Sequence, residues 1–544
     1  MFRRRWILLV ITVALAVLLV VAARYGRARV PVDGIFTPTF AVGTVATTAG
    51  AVRGFDAHLQ RPSGLDTLQA FLPNQAGVLW LSLLVVVIAG LDYARPFSSR
   101  NFDLLLAQGI GWCFIGALDL LVAVERFNDP GYRRLVGLAF DAVTILTILL
   151  IVRTLWRRVQ PPLEPAASGA SIAVLSAMAV LTIVLNLCVV FLHAPDDSSY
   201  FTNLGGQRLR ERGALPYGDP LLTNTAGAAY APLMYLVQAA SQTVVLEPTN
   251  AESPDLPVLG ARSQYSAPSR LSTQVSLAAF QLLAAAMLFV IGRRLRDAAW
   301  GLTLVVLYCG SAYVLGFGGD VENLGGLNFV SHVIPPAVTL AAFAALDRPL
   351  LSGALLAAAA ALGFYPAFMF PAWLGYYGGR SRPEALRFAA GFMVVCLVVG
   401  VWVLTASRPA PGLGLVATIM RDTLGHHTDP AGYGSSFFGL WGQQRGILKW
   451  LLQPLHAGSS LTSPFFLGFC SYLALTFVLA REAGPVGLAQ LIATVAMGAN
   501  LWKIHATGSY VTWYYPFLLI GILGPAAAAW RSRGTLVANI TTHS

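Results

Sequence analysis

The stretch SIAVLSAMAVLTIVLNLCVVFL, Ser171 to Leu192, carries no charged side chain and gives way directly to HAPDDSSY, His193 to Tyr200. At about 1.5 Å rise per residue, a helix of this length crosses a hydrocarbon core of about 30 Å. In such a core only a helix or a closed barrel satisfies every backbone N–H and C=O. The run therefore predicts a membrane-crossing helix that delivers two adjacent carboxylates, Asp196 and Asp197, to water at its end. The rest of the chain repeats the theme: its 544 residues are 56% hydrophobic and 11% charged, against about 25% charged in a soluble domain.

Apolar runs at about 6–23, 77–92, 103–124, 137–153, 171–193, 275–292, 299–316, 327–346, 350–363, 364–378, 385–405, 463–480, 486–500 and 509–530 predict an all-α, polytopic protein of about 14 spans. The first run follows Arg3-Arg4-Arg5 and reads as a retained span rather than a cleaved signal. Leu350 to Gly378 is long for one span, and Pro366 near its middle predicts two short helices joined by a tight turn. Arg95 and Arg100, Arg153 to Arg158, Arg293 to Arg296, Arg348, Arg380 to Arg387, Arg481, and Arg531 with Arg533 fall in alternate connections. Basic residues concentrate on the cytoplasmic side, so both termini are expected inside and the long loops 24–76, 194–274 and 406–462 outside. The basic, proline-containing stretch Arg153 to Gly169 divides an N-terminal four-span module, 1–160, from a second module, 170–535.

The net charge of +11 is then topological charge, and nucleic acid is not an expected partner. Cys113, Cys188, Cys309, Cys396 and Cys470 all lie within apolar runs at spacings that suit neither a disulfide framework nor zinc.

The chemistry-bearing residues cluster in the predicted external loops. After Asp196-Asp197 come Tyr200, then Gly205-Gly206-Gln207-Arg208-Leu209-Arg210-Glu211-Arg212-Gly213, then Pro216-Tyr217, then Tyr230-Ala231-Pro232-Leu233-Met234-Tyr235. Helical spacing puts Arg208 and Arg212 on one face. A carboxylate beside a second carboxylate has a raised pKa and makes a better general base. Competing readings of the pair are an N-cap of the helix that follows and a surface acid. Asp320 and Glu322 lie in a second short outer loop, with His332 just inside the next span. The loop 406–462 offers His426, His427, Asp429, Trp441 and Gln443, and Lys503 with His505 ends a late span on the same side. Aromatic faces with amide and carboxylate groups suit a sugar, while several of these aromatics also fit an interfacial belt. Adjacent loop histidines need not converge, so no cofactor is expected and a divalent metal at His426, His427 and Asp429 is the lesser reading.

An acid at the end of a span, a tyrosine shortly after, an amphipathic helix ending in glycine, a Pro-Tyr and a Tyr-x-Pro-x-x-Tyr resemble the first external loop of GT-C superfamily glycosyltransferases. The likeness is greatest to the actinobacterial enzymes that use polyprenyl-phosphate sugars. It covers about Ser171 to Trp530 and includes Gly363-Phe364-Tyr365-Pro366, although relatives often carry Lys or Thr where Gly363 stands. The four N-terminal spans are not part of the usual pattern.

The resemblance implies a multi-pass enzyme of a bacterial plasma membrane. It would move a sugar from a polyprenyl-phosphate donor to a glycan or glycolipid acceptor of the cell envelope, on the outer face. Asp196 or Asp197 would be the general base, with Asp196 favoured by its spacing to Tyr200. The substrate-binding set would be Tyr200, Arg208, Arg212, Tyr217, Tyr230, Asp320, Glu322, His332, His426, His427, Trp441, Gln443, Lys503 and His505, with arginines gripping the donor phosphate. The alternatives are a transporter or flippase of a lipid-linked intermediate, and a scaffold that keeps the fold without the chemistry.

Overall fold

The computed structural model describes residues 75–127, 130–158, 170–192, 195, 198–219, 222, 226–246, 267–315, 326–425, 464–502 and 510–524. Every regular element among them is helical. The first three helices are α1 (Gln75–Val85), continued by a π turn at Val86–Gly90, α2 (Ser99–Phe127) and α3 (Pro130–Arg158). Then come α4 (Ile172–Leu192), α5 (Ser198–Arg212), α6 (Pro232–Val244), α7 (Ala267–Leu295), α8 (Ala298–Cys309) and α9 (Ala312–Leu315). The chain continues through α10 (Val330–Ala344), α11 (Pro349–Gly363), α12 (Phe370–Arg380), α13 (Arg382–Ala406) and α14 (Leu415–Met420). The last described helices are α15 (Pro464–Ala480), α16 (Pro485–Trp502) and α17 (Val511–Leu523).

Among the described residues, three helical segments are long and apolar enough to cross a membrane: Ile172–Leu192, Leu271–Leu295 and Arg382–Ala406. Shorter apolar helices, such as Val330–Ala344 and Pro485–Leu501, make up much of the remainder. Only 11% of the most apolar window of α13 is buried inside the protein, so Leu386, Leu397 and Val398 face outward.

Local chemistry sets the helix boundaries. Ser381-Arg382-Pro383-Glu384 opens α13 with the Ser381 hydroxyl accepting from the Glu384 N–H at 3.3 Å and proline in the first turn. Asp297 caps α8 by accepting from the Trp300 N–H at 2.8 Å. The run 299–316, expected as one span, is broken at Gly310-Ser311 into α8 and α9. The carbonyls near the break find other donors: Asn186 Nδ2 gives to the Cys309 carbonyl at 2.8 Å, and Tyr515 Oη to that of Leu307 at 3.3 Å. The expected turn near Pro366 is a 3-10 segment, Tyr365–Met369, entered through Phe364 at φ 55°.

The helix ends gather into two groups. At one end Arg153 and Arg157 of α3 pair with buried Asp103 of α2. There Arg157 Nη1 donates to the Ile522 carbonyl of α17 at 3.0 Å, and Arg158 Nη2 to that of Leu479 in α15 at 2.7 Å. Arg296, just past α7, lies near enough to act on the charge of Arg100, while Arg294 bonds the Ala344 carbonyl of α10 at 2.7 Å and pairs with Asp347 at 2.9 Å. At the opposite end Gln274 Nε2 of α7 donates to the Val190 carbonyl of α4 at 2.8 Å, and Leu215 N–H to the Ala406 carbonyl of α13 at 2.8 Å. One large apolar core runs between the two ends, from Val78 to Leu523. A second, small one of Leu215, Tyr217 and Tyr235 lies at the end where α13 finishes.

Candidate functional site

Helix α5 carries the sequence that follows the acid pair, and its first turn is braced rather than free. Ser199 Oγ donates to the Asn328 carbonyl at 2.6 Å and accepts from the Val330 N–H at 3.0 Å, while Ser331 Oγ donates to Ser198 Oγ at 3.0 Å. These bonds pin the start of α5 to the start of α10. One turn on, Asn203 Nδ2 donates to Ser272 Oγ and Thr273 Oγ1 of α7, both at 3.0 Å, and Gln242 Nε2 of α6 donates to the Asn203 carbonyl at 2.8 Å. All of these groups except Ser331 are buried. A buried hydroxyl or amide must be hydrogen-bonded, so the polar face of α5 admits few orientations. Asp196 and Asp197, the two residues that precede Ser198 in the sequence, lie outside the described residues.

The tyrosines of the Pro-Tyr and Tyr-x-Pro-x-x-Tyr motifs come together. Tyr217 and Tyr235 pack edge to face with centroids 5.9 Å apart. Tyr217 Oη donates to the Tyr230 carbonyl at 2.7 Å; Tyr235 Oη donates to the Gly227 carbonyl at 2.8 Å and accepts from the Tyr230 N–H at 3.0 Å. Tyr217 is fully buried, and burial pushes its phenol well above the ordinary tyrosine range, with Tyr235 and Asp422 adding to the effect. It is a neutral structural donor at any physiological pH. Tyr230 is half-buried and joins the cluster both through its backbone and by packing its side chain against it. The turn after Tyr217 is held by Asp422, whose Oδ2 accepts from the Gly218 N–H at 2.8 Å. Gly218 has φ 76°, and a Cβ there would strike the Arg408 carbonyl, so glycine is required twice over.

Arg208 and Arg212 do share a helix face, and both turn it toward Asp219, with ion-pair distances of 3.8 and 3.9 Å to the same Oδ2. Arg208 is almost completely buried, and its Nε and Nη2 have no hydrogen-bond partner among the described residues. A buried guanidinium held by one distant carboxylate keeps donors for another anion. Tyr200 sits half-buried two residues past the start of α5, edge to face with Phe201 at 5.4 Å, and burial pushes its phenol up to about 12.

His332 is buried in a row of rings. It stacks on Phe329 at 4.9 Å and leans on Tyr510 at 4.7 Å; Tyr510 in turn meets Trp513, which stacks flat on Tyr365 at 3.7 Å. This row explains two features of the sequence. Pro335 has no N–H to give the Ser331 carbonyl four residues back, and Trp513 Nε1 supplies that bond at 2.9 Å. A Cβ on Gly363 would run into the ring of Pro335, so a residue with a side chain does not fit here against α10.

Asp320, Glu322, His426, His427, Asp429, Trp441, Gln443, Lys503 and His505 lie outside the described residues. Among the described residues no group of three His, Cys, Asp or Glu side chains comes together as a metal would need. Sequence reasoning did not single out the braces Ser198, Ser199, Asn203, Gln242 and Asp422. The available signal was Gly205-Gly206 inside a helix: Cβ atoms there would strike the Tyr235 ring and the Gln238–Ala239 backbone, so α5 and α6 touch closely enough for side chains nearby to bond across. No family model and no curated protein matches the chain.

Proposed function

We propose that the protein is a polytopic membrane glycosyltransferase of GT-C type, with about 14 spans, that transfers a sugar from a polyprenyl-phosphate donor to a cell-envelope glycan or glycolipid. The arginine-rich end of the bundle faces the cytoplasm together with both termini, and the end that carries α5 faces outward in a bacterial plasma membrane. One observation carries the reading. The helix that begins immediately after Asp196-Asp197 is braced on two sides by buried hydrogen bonds from Ser199 and Asn203, at the end of the bundle opposite the arginine cluster. A general base must be held within hydrogen-bond reach of the proton it removes, and a braced helix start is a means of holding one.

In this reading Asp196 takes the acceptor hydroxyl proton as that oxygen attacks the anomeric carbon, and the polyprenyl phosphate leaves. Asp197 orients the acceptor, and Arg208 with Arg212 stabilises the departing phosphate. The tyrosine cluster around Tyr217 fixes the loop that supplies Asp219 to those arginines.

The test is transfer of labelled sugar from a panel of polyprenyl-phosphate sugars by purified protein, comparing the wild type with Asp196→Asn and Asp197→Asn. Loss of transfer by at least about 100-fold in one variant, with donor binding kept, is the expected result and names the base. Failure of every donor to bind or react, or full activity in both variants, makes the acids structural and brings the transporter and scaffold readings forward.

A further inference from the structure

The end of the bundle opposite α5 holds more positive charge than its acids neutralise. Around buried Asp92 and Asp103 stand Arg95, Arg100, Arg153 and Arg157. Arg95 pairs with Asp92 at 3.0 Å, and Arg153 and Arg157 share Asp103. Arg100 makes no ion pair among the described residues and gives Nη2 to the Gly90 carbonyl at 3.2 Å. Burial pushes its guanidinium down to about 10; Asp92 opposes the shift, while Arg157, Arg296 and Arg95 reinforce it. Arg100 Nε and Arg157 Nη2 have no hydrogen-bond partner among the described residues. A set of guanidinium groups with spare donors and excess charge is matched by an anion with several oxygens, and the planar fork of arginine fits phosphate in particular.

The surface next to these arginines is aromatic and exposed. Phe97 is 91% exposed, Trp156 59% and Tyr93 57%. Arg153 Nη2 reaches the Ser99 carbonyl at 3.5 Å and its guanidinium lies over the Phe102 ring at 4.4 Å, which ties the loop carrying Phe97 to the turn of α3 carrying Trp156. Rings exposed beside arginines match the layering of a bilayer surface, where aromatic side chains sit at headgroup level and arginines reach the phosphates.

We propose that this end of α2 and α3 binds the phosphate of an anionic phospholipid, with Arg100 and Arg157 as its ligands and Phe97 and Trp156 against the glycerol and acyl chains. The site rests on the membrane placement proposed above and is independent of the transfer chemistry.

The test is lipid retention by the full-length protein in detergent, read by native mass spectrometry after incubation with phosphatidylglycerol, phosphatidylcholine or sodium phosphate. The wild type is expected to retain phosphatidylglycerol over phosphatidylcholine by about tenfold or more, and Arg100→Gln to reduce that retention by about tenfold, the equivalent of one 1.4 kcal/mol contact. The double variant Phe97→Ser, Trp156→Ser, which leaves every arginine in place, should lower retention by a similar factor with sugar transfer unchanged. Equal retention of the two phospholipids, or retention indifferent to Arg100→Gln, overturns the proposal. So does inorganic phosphate that displaces phosphatidylglycerol at equal concentration, since that outcome makes the site one for the free anion.

Discussion

Ser199 illustrates how one hydroxyl couples local structure to the site. As a donor it satisfies the Asn328 carbonyl, and as an acceptor it satisfies the Val330 N–H, so it closes two buried backbone groups that would otherwise be orphaned at the start of α10. Removing it leaves both without a partner, which costs about 1–3 kcal/mol per group. Ser199→Ala is therefore expected to lower the thermal midpoint in detergent. If α5 positions the base, the same variant should lower kcat for sugar transfer with little change in donor KM, because the missing bond acts on geometry rather than on donor contact. A fall in stability with kcat intact would reduce Ser199 to a structural brace. Asp422 works by similar logic on the neighbouring turn, accepting from Gly218 while its other oxygen pairs with Arg421 at 2.6 Å.

At the scale of elements, apolar runs are legible in sequence because backbone satisfaction inside a membrane leaves helix as the one open-chain solution. The segment 350–378 resolved as expected into α11, a tight turn and α12, since a proline and a length mismatch both appear in the sequence. The break between α8 and α9 was not legible: Gly310-Ser311 is a weak breaker alone, and what stabilises it is Asn186 on α4 and Tyr515 on α17, far away in sequence. The site divides in the same way. Helical spacing foretold that Arg208 and Arg212 share a face, but not that the face meets Asp219, which depends on how the loop at Tyr217 folds back. Helix pairing was equally hidden. Where α11 crosses α13, a Cβ on Gly353 would strike the Phe388 carbonyl and one on Gly391 that of Leu350, so the two backbones touch through paired glycines, a contact that depends on packing rather than on hydrophobicity in lipid. Gly391→Val is accordingly expected to destabilise the protein by about 1–3 kcal/mol or more. Gly400→Ala, on the same helix with nothing within 4 Å of the added methyl, should be neutral or stabilising by up to about 1 kcal/mol. Thermal melting of the two variants side by side distinguishes backbone contact from a general intolerance of substitution in α13.

For the molecule as a whole, the basic stretch at 153–169 reads in sequence as a boundary, yet the helices on its two sides are joined by bonds that no sequence pattern reveals. Tyr313 Oη donates to the Ala107 carbonyl at 2.6 Å, Gln108 Nε2 donates to Tyr515 Oη, and Arg157 and Arg158 reach α17 and α15. Helix α2 also packs on α17 and α3 on α16, and fully buried Val86, Leu104 and Ile110 belong to the same core as Leu307 and Phe517. In lipid such an interface draws little from the hydrophobic effect and depends on packing and on bonds of about 0.6 kcal/mol each, which act in concert only while the two surfaces stay matched. A protease site placed between Pro161 and Pro165 should consequently yield two fragments that co-elute on size exclusion after complete cleavage. Gln108→Leu combined with Tyr313→Phe, which removes two of the bonds and leaves the apolar surface in place, should loosen the pair and lower its thermal midpoint. Clean separation of the cleaved wild-type fragments in mild detergent would instead make the N-terminal helices an independent module, tethered by the 159–169 segment alone.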